Sequence, residues 1–240
     1  MQSVIEEKSS RVLEVVVSSV RPFELMMGKI FGVASVAVVQ VLIWAVLVCG
    51  AGAAVMPHVL PDGAMEAAAA LQQGGGAATA AAGDFDPETL GAIALATDVS
   101  YLAMLFGYLL LFVVGGYLLY SAMFAAVGSA VDNAQDAAQL QTPIMIPIIL
   151  AVIVEMSVLN DPNSPLAFWF SLIPFTSPVV MMARIPYGIP TWEIVLSLVL
   201  LYAAFVGMVW LSAKIYRVGI FMYGKKPTLR EMFRWIRYKY

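Results

Sequence analysis

Between Lys29 and Arg184 the chain carries no lysine or arginine, and twelve of its 13 basic residues lie in the first 29 positions or from Lys214 onward. Segregation this sharp belongs to a chain whose middle lies in hydrocarbon, because a soluble domain needs charge spread over its whole surface. The composition agrees: 61% of residues are hydrophobic and 12% charged, where soluble domains carry about 25% charged residues. The sequence therefore reads as an integral membrane protein. By the positive-inside rule both termini face the cytoplasm, so the number of full crossings is even. The net charge of −3 conceals this asymmetry.

Four crossings satisfy the count. Residues 30–56 carry no charge and exceed, at about 1.5 Å per residue, the hydrocarbon thickness of roughly 30 Å. Gln40 is the strongly polar side chain of this span, placed to bond a neighbouring helix or to line a polar path. Residues 57–98 follow as an extracytoplasmic Ala/Gly-rich loop with six acids and no basic residue, containing some helical pieces and a flexible centre around Gly74-Gly75-Gly76. Asp86-Pro87-Glu88 reads there as a helix start. His58 and Cys49, each the single residue of its type, suit a surface histidine and a small hydrophobe. The 33 uncharged residues 99–131 are too few for two crossings and predict one long helix with a bend at Gly115-Gly116. A polar cytoplasmic connection, 132–142, leads into a third crossing, 143–159. Glu155 lies about 18 Å along that span, where an ionised carboxylate facing lipid would cost on the order of 3 kcal/mol. It reads as a cation or proton site, as half of a buried pair with Arg184, or as a group nearer the outer interface. The fourth crossing is 191–213, with Thr191 as its N-cap.

Between the third and fourth crossings, 160–190 holds two apolar pieces too short to span. They are joined by Pro174-Phe175-Thr176-Ser177-Pro178 and followed by Arg184, the one basic residue placed outside. This pattern predicts an outer re-entrant helical hairpin that keeps both ends on one side, as parity requires. Phe168, Trp169, Phe170 and Tyr187 suit an aromatic belt there.

The two cytoplasmic ends differ in chemistry. In residues 1–29, helical spacing puts Glu7, Arg11, Glu14 and Ser18 on one face and Ile5, Val12, Val16 and Val20 on the other, and Pro22 opens a second short helix. Acids at Glu6 and Glu7 exclude a signal peptide. In the tail, 214–240, Thr228 to Glu231 forms a capping box, and Arg230, Arg234 and Arg237 lie opposite Leu229, Met232, Phe233 and Ile236. That is a basic amphipathic helix for a lipid surface. The fold class is thus all-α membrane protein: four transmembrane helices, an N-terminal amphipathic helix, an outer re-entrant hairpin and a C-terminal basic amphipathic helix. No nucleotide-binding P-loop, zinc set or intramembrane Ser-His pair occurs. Gly28-x-x-x-Gly32 is a weak small-residue packing signal in so Gly- and Ala-rich a chain.

Glu6-Glu7-Lys8-x-x-Arg11-x-x-Glu14, with Ser18-Ser19-Val20-Arg21-Pro22, Leu25 and Gly28-Lys29, closely resembles the cytoplasmic segment of ABC-2 type permeases of the sodium-export (NatB-like) kind. Ile173 to Pro178 with Arg184 resembles that family's outer hairpin, and Ala130 to Pro147 its second inner connection. The resemblance implies a permease subunit in the bacterial inner membrane, forming a homo- or heterodimer and exporting an ion or small molecule. It further implies an ABC ATPase partner that binds the ATP, so no cofactor and no enzymatic activity are expected in this chain. Glu6, Glu7, Arg11, Glu14, Arg21 and Glu24 become the docking residues of a coupling helix, and Gln40 and Glu155 a candidate translocation path. Membrane lipid is the other expected partner, and nucleic acid is not. Family members carry two crossings and a large extracytoplasmic domain before this helix, so the chain is expected to be the C-terminal portion of a permease or a truncated gene product. The competing reading is a membrane scaffold that reuses the fold without transporting.

Overall fold

The computed structural model describes residues 22–61, 63–72, 86–131 and 134–219. The amphipathic segment up to Arg21, the centre of the Ala/Gly-rich loop and the basic tail from residue 220 lie outside the described residues. The described elements are helical: α1 (Pro22–Val59), α2 (Ala64–Gln72), α3 (Pro87–Thr97), α4 (Val99–Ala130), α5 (Ala134–Val158), α6 (Pro165–Leu172), α7 (Ser177–Arg184), a 3-10 turn (Ile185–Tyr187) and α8 (Thr191–Gly219). Among them, four are long and apolar enough to cross a membrane, over Ile30–Val59, Val99–Ala130, Gln135–Val158 and Thr191–Ile215. The described residues divide into two compact units, one within 38–110 and one formed by those up to 37 and those from 111.

In the unit of residues 38–110, α2 and α3 are helical pieces within 57–98, and residues 73–85 lie outside the described residues. Gly63 takes a left-handed conformation (φ 85°), which only glycine adopts without strain, and turns the chain from α1 into α2. Ala64 and Ala68 of α2 pack on Ile93 and Ala94 of α3, with Leu60 against them. Alanine at these positions lets the two helices approach closely. Gln72 Nε2 reaches the Ala94 carbonyl and lies 3.4 Å from Thr97 Oγ1. Pro87 opens α3 after an extended Asp86, as expected. The Asp86 carboxylate caps no backbone group of the helix and accepts instead from Thr89 Oγ1 at 3.4 Å. Asp98 is the effective cap, its Oδ1 accepting from Ser100 N at 2.8 Å and Tyr101 N at 3.3 Å at the start of α4.

In the other unit, two hydrogen bonds fix the relative direction of α4 and α8. Tyr202 Oη donates to Leu111 O at 3.0 Å, and Ser212 Oγ to Ala122 O at 2.7 Å. The order is the same on both helices, so α4 and α8 run parallel. Helix α5 runs against them: Ile144, near its start, packs with Ala126, Val127, Ala130 and Ile215, near the ends of α4 and α8. Its far end, through Ala151, Val154 and Val158, packs on Ala167 and Val180 of α6 and α7. One crossing therefore separates two parallel ones, and the α6–α7 pair returns the chain to the side where α5 ended.

The structure refines three local expectations. Helix α5 starts at Ala134, ahead of the crossing expected from Pro143, because Ala134 to Thr142 is rich in helix formers with Asp136 in the first turn, and Pro143 and Pro147 are accommodated inside the helix. Thr191 is the first helical residue of α8 rather than its cap, and the Pro190 carbonyl accepts from Glu193 N at 3.0 Å. The Gly115-Gly116 pair serves close approach. A Cβ on Gly115 would stand 2.7 Å from Leu201 Cδ2, and one on Gly116 2.8 Å from Pro178 Cγ.

A proline ring cannot swing aside, so Gly116→Ala should destabilise by about 1–3 kcal/mol. Gly107→Ala, on the same helix with nothing within 4 Å of the added Cβ, should be neutral or stabilise by up to about 1 kcal/mol. Thermal unfolding in detergent of the two variants against the parent checks the contrast.

Candidate functional site

Breaking a helix inside packed protein frees carbonyls that water cannot reach, and each one needs a donor. The break between α6 and α7 is built around this requirement. Ser164 caps the start of α6, its Oγ accepting from Ala167 N at 3.3 Å, with Pro165 in the first turn. At the other end Pro174 prevents continuation. Thr176 Oγ1 donates to Phe170 O at 2.5 Å, Ser177 N to Ile173 O at 2.8 Å, and Ser197 Oγ from α8 to Ser171 O at 2.7 Å. Tyr120 Oη from α4 donates to Phe175 O, in the turn itself, at 2.6 Å. Pro178 then opens α7 in contact with Gly116. Hydroxyls from three elements thus close the turn, and Thr176, Ser177, Ser171 and Ser197 are all buried.

At the open end of the pair, α7 finishes at Arg184, whose side chain is 2% exposed. Arg184 Nε donates to Pro162 O at 2.8 Å, and Nη1 donates to Ser171 Oγ at 2.6 Å. Nη1 also lies 3.0 Å from Glu193 Oε2 in the first turn of α8. The Glu193 oxygen is buried and accepts no hydrogen bond, so its tie to Arg184 is an ion pair off the N–H direction. The guanidinium stands 6.0 Å from the centre of the Phe168 ring, and that ring is 6.4 Å from the Trp192 ring. Gly188, left-handed at φ 75°, reverses the chain after the 3-10 turn and brings Glu193 back to Arg184.

The rim of this end carries exposed Trp169, Tyr187 and Trp192. At the other end of α8, Lys214 Nζ sits 3.9 Å from the centre of the Trp210 ring. Trp192 and Trp210 are separated by about 27 Å at the helical rise, close to the hydrocarbon thickness of roughly 30 Å. Aromatic residues at that spacing suit the two faces of one bilayer.

The six hairpin residues singled out from sequence, Pro174, Phe175, Thr176, Ser177, Pro178 and Arg184, are brought together by the structure in one helix–turn–helix. The partner of Arg184 is Glu193. Glu155 is half-buried on α5 and enters no ion pair among the described residues. Gln40 is exposed on the part of α1 that belongs to the unit of residues 38–110. Glu24 is exposed in the first turn of α1. Glu6, Glu7, Arg11, Glu14 and Arg21 lie outside the described residues. Sequence reasoning missed Glu193, Tyr120, Ser171 and Ser197. For Glu193 a signal existed, since it is the acid nearest in sequence to a lone arginine inside an apolar region.

A family model described as "ABC-2 family transporter protein" matches residues 1–214. The chain belongs to this family. Two curated relatives are similar across nearly all of it. The uncharacterized protein YhaP of Bacillus subtilis (strain 168) is 27% identical over 230 residues, 95% of this chain and 48% of YhaP. The uncharacterized protein MJ1024 of Methanocaldococcus jannaschii is 28% identical over 236 residues, 98% of this chain and 48% of MJ1024. The chain spans about half the length of these relatives. No solved structure matches it. Membership of the ABC-2 family, with four apolar helices, makes the chain an integral membrane protein of a transporter family.

Because Ser197 is the donor to a freed carbonyl of α6, Ser197→Ala should cost about 1–3 kcal/mol, the penalty for a buried acceptor left unpaired. Ser100→Ala, outside this network, should change stability by less than about 0.5 kcal/mol. Thermal melts of both variants in detergent measure the difference.

Proposed function

We propose that the chain is the membrane-spanning permease portion of an ABC-type exporter of the NatB-like kind, working with a separate ATP-hydrolysing subunit and a second permease subunit. The observation that carries this reading is the family match over residues 1–214, in a family whose members are non-catalytic membrane subunits. Both termini face the cytoplasm of a bacterial inner membrane, in keeping with the clustered basic residues. The hairpin of α6 and α7 enters the bilayer from the outer face. Supporting this, its Pro178 abuts Gly116, whose neighbour Gly115 lies against Leu201, about 14 Å past Trp192 along α8.

Coupling runs through the N-terminal segment. Glu6, Glu7, Arg11 and Glu14 form a docking face of mixed charge whose complementarity to the ATPase costs little at an aqueous surface. Arg21 and Glu24 flank Pro22, from which α1 runs as one uninterrupted 38-residue helix. A helix without a break passes displacement of its docked end directly into the membrane. Gln40 and Glu155 supply polar groups along the path of an exported cation.

Reversal of Glu7 and Glu14 to Lys should reduce co-purification of the full permease with its ATPase at least about tenfold while leaving membrane insertion intact. In vesicles holding permease and ATPase, with sodium as the first ion assayed, Glu155→Gln should lower ATP-driven transport at least about tenfold without loss of ATPase association. Unchanged association in the first case removes the docking role, and unchanged transport in the second removes Glu155 from the path.

A further inference from the structure

We propose that Arg184 is the positioning residue of the α6–α7 hairpin, and that its pairing with Glu193 is a latch holding the hairpin tip at one depth against α4 and α8. The inference rests on the geometry of the hairpin and on its proposed entry from the outer face, and not on the export reading. A single guanidinium meets three segments at once. It bonds Pro162 O in the turn before α6, Ser171 Oγ within α6, and the Glu193 carboxylate on α8, while its own backbone ends α7. The turn before α6, the last turn of α6, the end of α7 and the start of α8 are therefore tied to one side chain. At the closed end the ties are of another kind: the Tyr120 hydroxyl on Phe175 O and the packing of Pro178 on Gly116. Sliding the hairpin by one residue would unmake both sets together.

Energetics argue for positioning over stability. The Arg184 side chain is 2% exposed and that of Glu193 10%. Taking two charges out of water costs about as much as their attraction returns, and an apolar pair of similar volume stabilises such a site equally well or better. The surroundings would accept one, since Met181, Ile185 and Ile194, close in sequence, are all buried. What an apolar pair lacks is direction. Leucine and methionine slide past one another, whereas a guanidinium with two hydrogen-bond acceptors and one carboxylate has one arrangement.

The pair is also asymmetric. Without Glu193, Arg184 keeps its bonds to Pro162 O and Ser171 Oγ. Without Arg184, Glu193 is a buried carboxylate with no hydrogen-bond donor, and water must follow it. The latch therefore depends more on the arginine than on the glutamate.

The test is the rate at which a membrane-impermeant maleimide, applied from the hairpin side, labels a cysteine at the tip. The parent for comparison is the full chain carrying Cys49→Ala and Phe175→Cys. Labelling should be slow in this parent, at least about tenfold faster with Arg184→Gln, and raised less with Glu193→Gln, because it follows the population of displaced hairpin. The deciding variant is Arg184→Met with Glu193→Leu. It should keep the thermal midpoint of the parent within a few degrees and still label at the fast rate. Equal labelling rates in this double variant and the parent overturn the proposal. A large loss of thermal stability in the double variant also overturns it, since the pair would then serve stability alone. If Arg184→Gln fails to fold, the double variant decides by itself.

Discussion

A carbonyl buried among packed helices can turn to no water, and the organisation around α6 and α7 follows from that constraint. Continuous helices satisfy it internally. A break does not, and this chain breaks at Pro174, leaving acceptors at Phe170, Ser171 and Phe175 that are met by Thr176, Ser197 and Tyr120. The donors come from the turn itself, from α8 and from α4. The hairpin thus cannot be completed without both neighbouring helices in place. A helix pair that could have been an independent appendage becomes a dependent part of the bundle.

The same type of contact sets register elsewhere. Tyr202 and Ser212 of α8 donate to Leu111 and Ala122 of α4, using the second lone pair of carbonyls already engaged in their own helix. Such bonds between membrane helices are worth about 1 kcal/mol each, too little to assemble the bundle. Packing of apolar side chains and the close approach at Gly115 and Gly116 do that. The hydroxyls select among packed arrangements of similar energy, because a shift of one residue would leave every one of them pointing at a side chain instead of a carbonyl.

What could be read from the sequence divides along the same line. The four crossings were legible because bilayer thickness acts on every residue of a span, and an uncharged run such as 99–131 has no other interpretation. The pair of short helices was legible because Pro174 and Pro178 interrupt an apolar stretch too short to span on either side. The start of α5 was not, since Pro143 and Pro147 look like a helix beginning and only the packed structure tells a tolerated proline from an initiating one. The close approach at Gly116 was not legible, because the neighbour that requires a small residue there, Pro178, is 62 residues away. The partner of Arg184 stayed open because ion pairing is decided by where α8 returns. Glu155 and Glu193 both flank the hairpin in sequence, and the reversal at Gly188 selects the second.

On the proposed entry of the hairpin from the outer face, polarity is graded with depth, and different chemistries hold its two ends. At its tip, level with Leu201, the ties are hydroxyls: neutral donors whose desolvation is offset by one bond each. At its open end, level with Trp192, the tie is a full ion pair. The cost of burying a charge falls steeply from the bilayer centre toward the interface, where aromatic rings and water share the space. Glu193 follows Trp192 directly, and Arg184 is flanked by the Phe168 ring. At the other end of α8 a charge reappears beside an aromatic ring, in Lys214 over Trp210. Exchanging the chemistries would fail in both directions. A guanidinium at the position of Tyr120 would carry a charge to mid-depth with a lone turn carbonyl to receive it, and a hydroxyl at position 184 could reach only one of the three segments that Arg184 gathers.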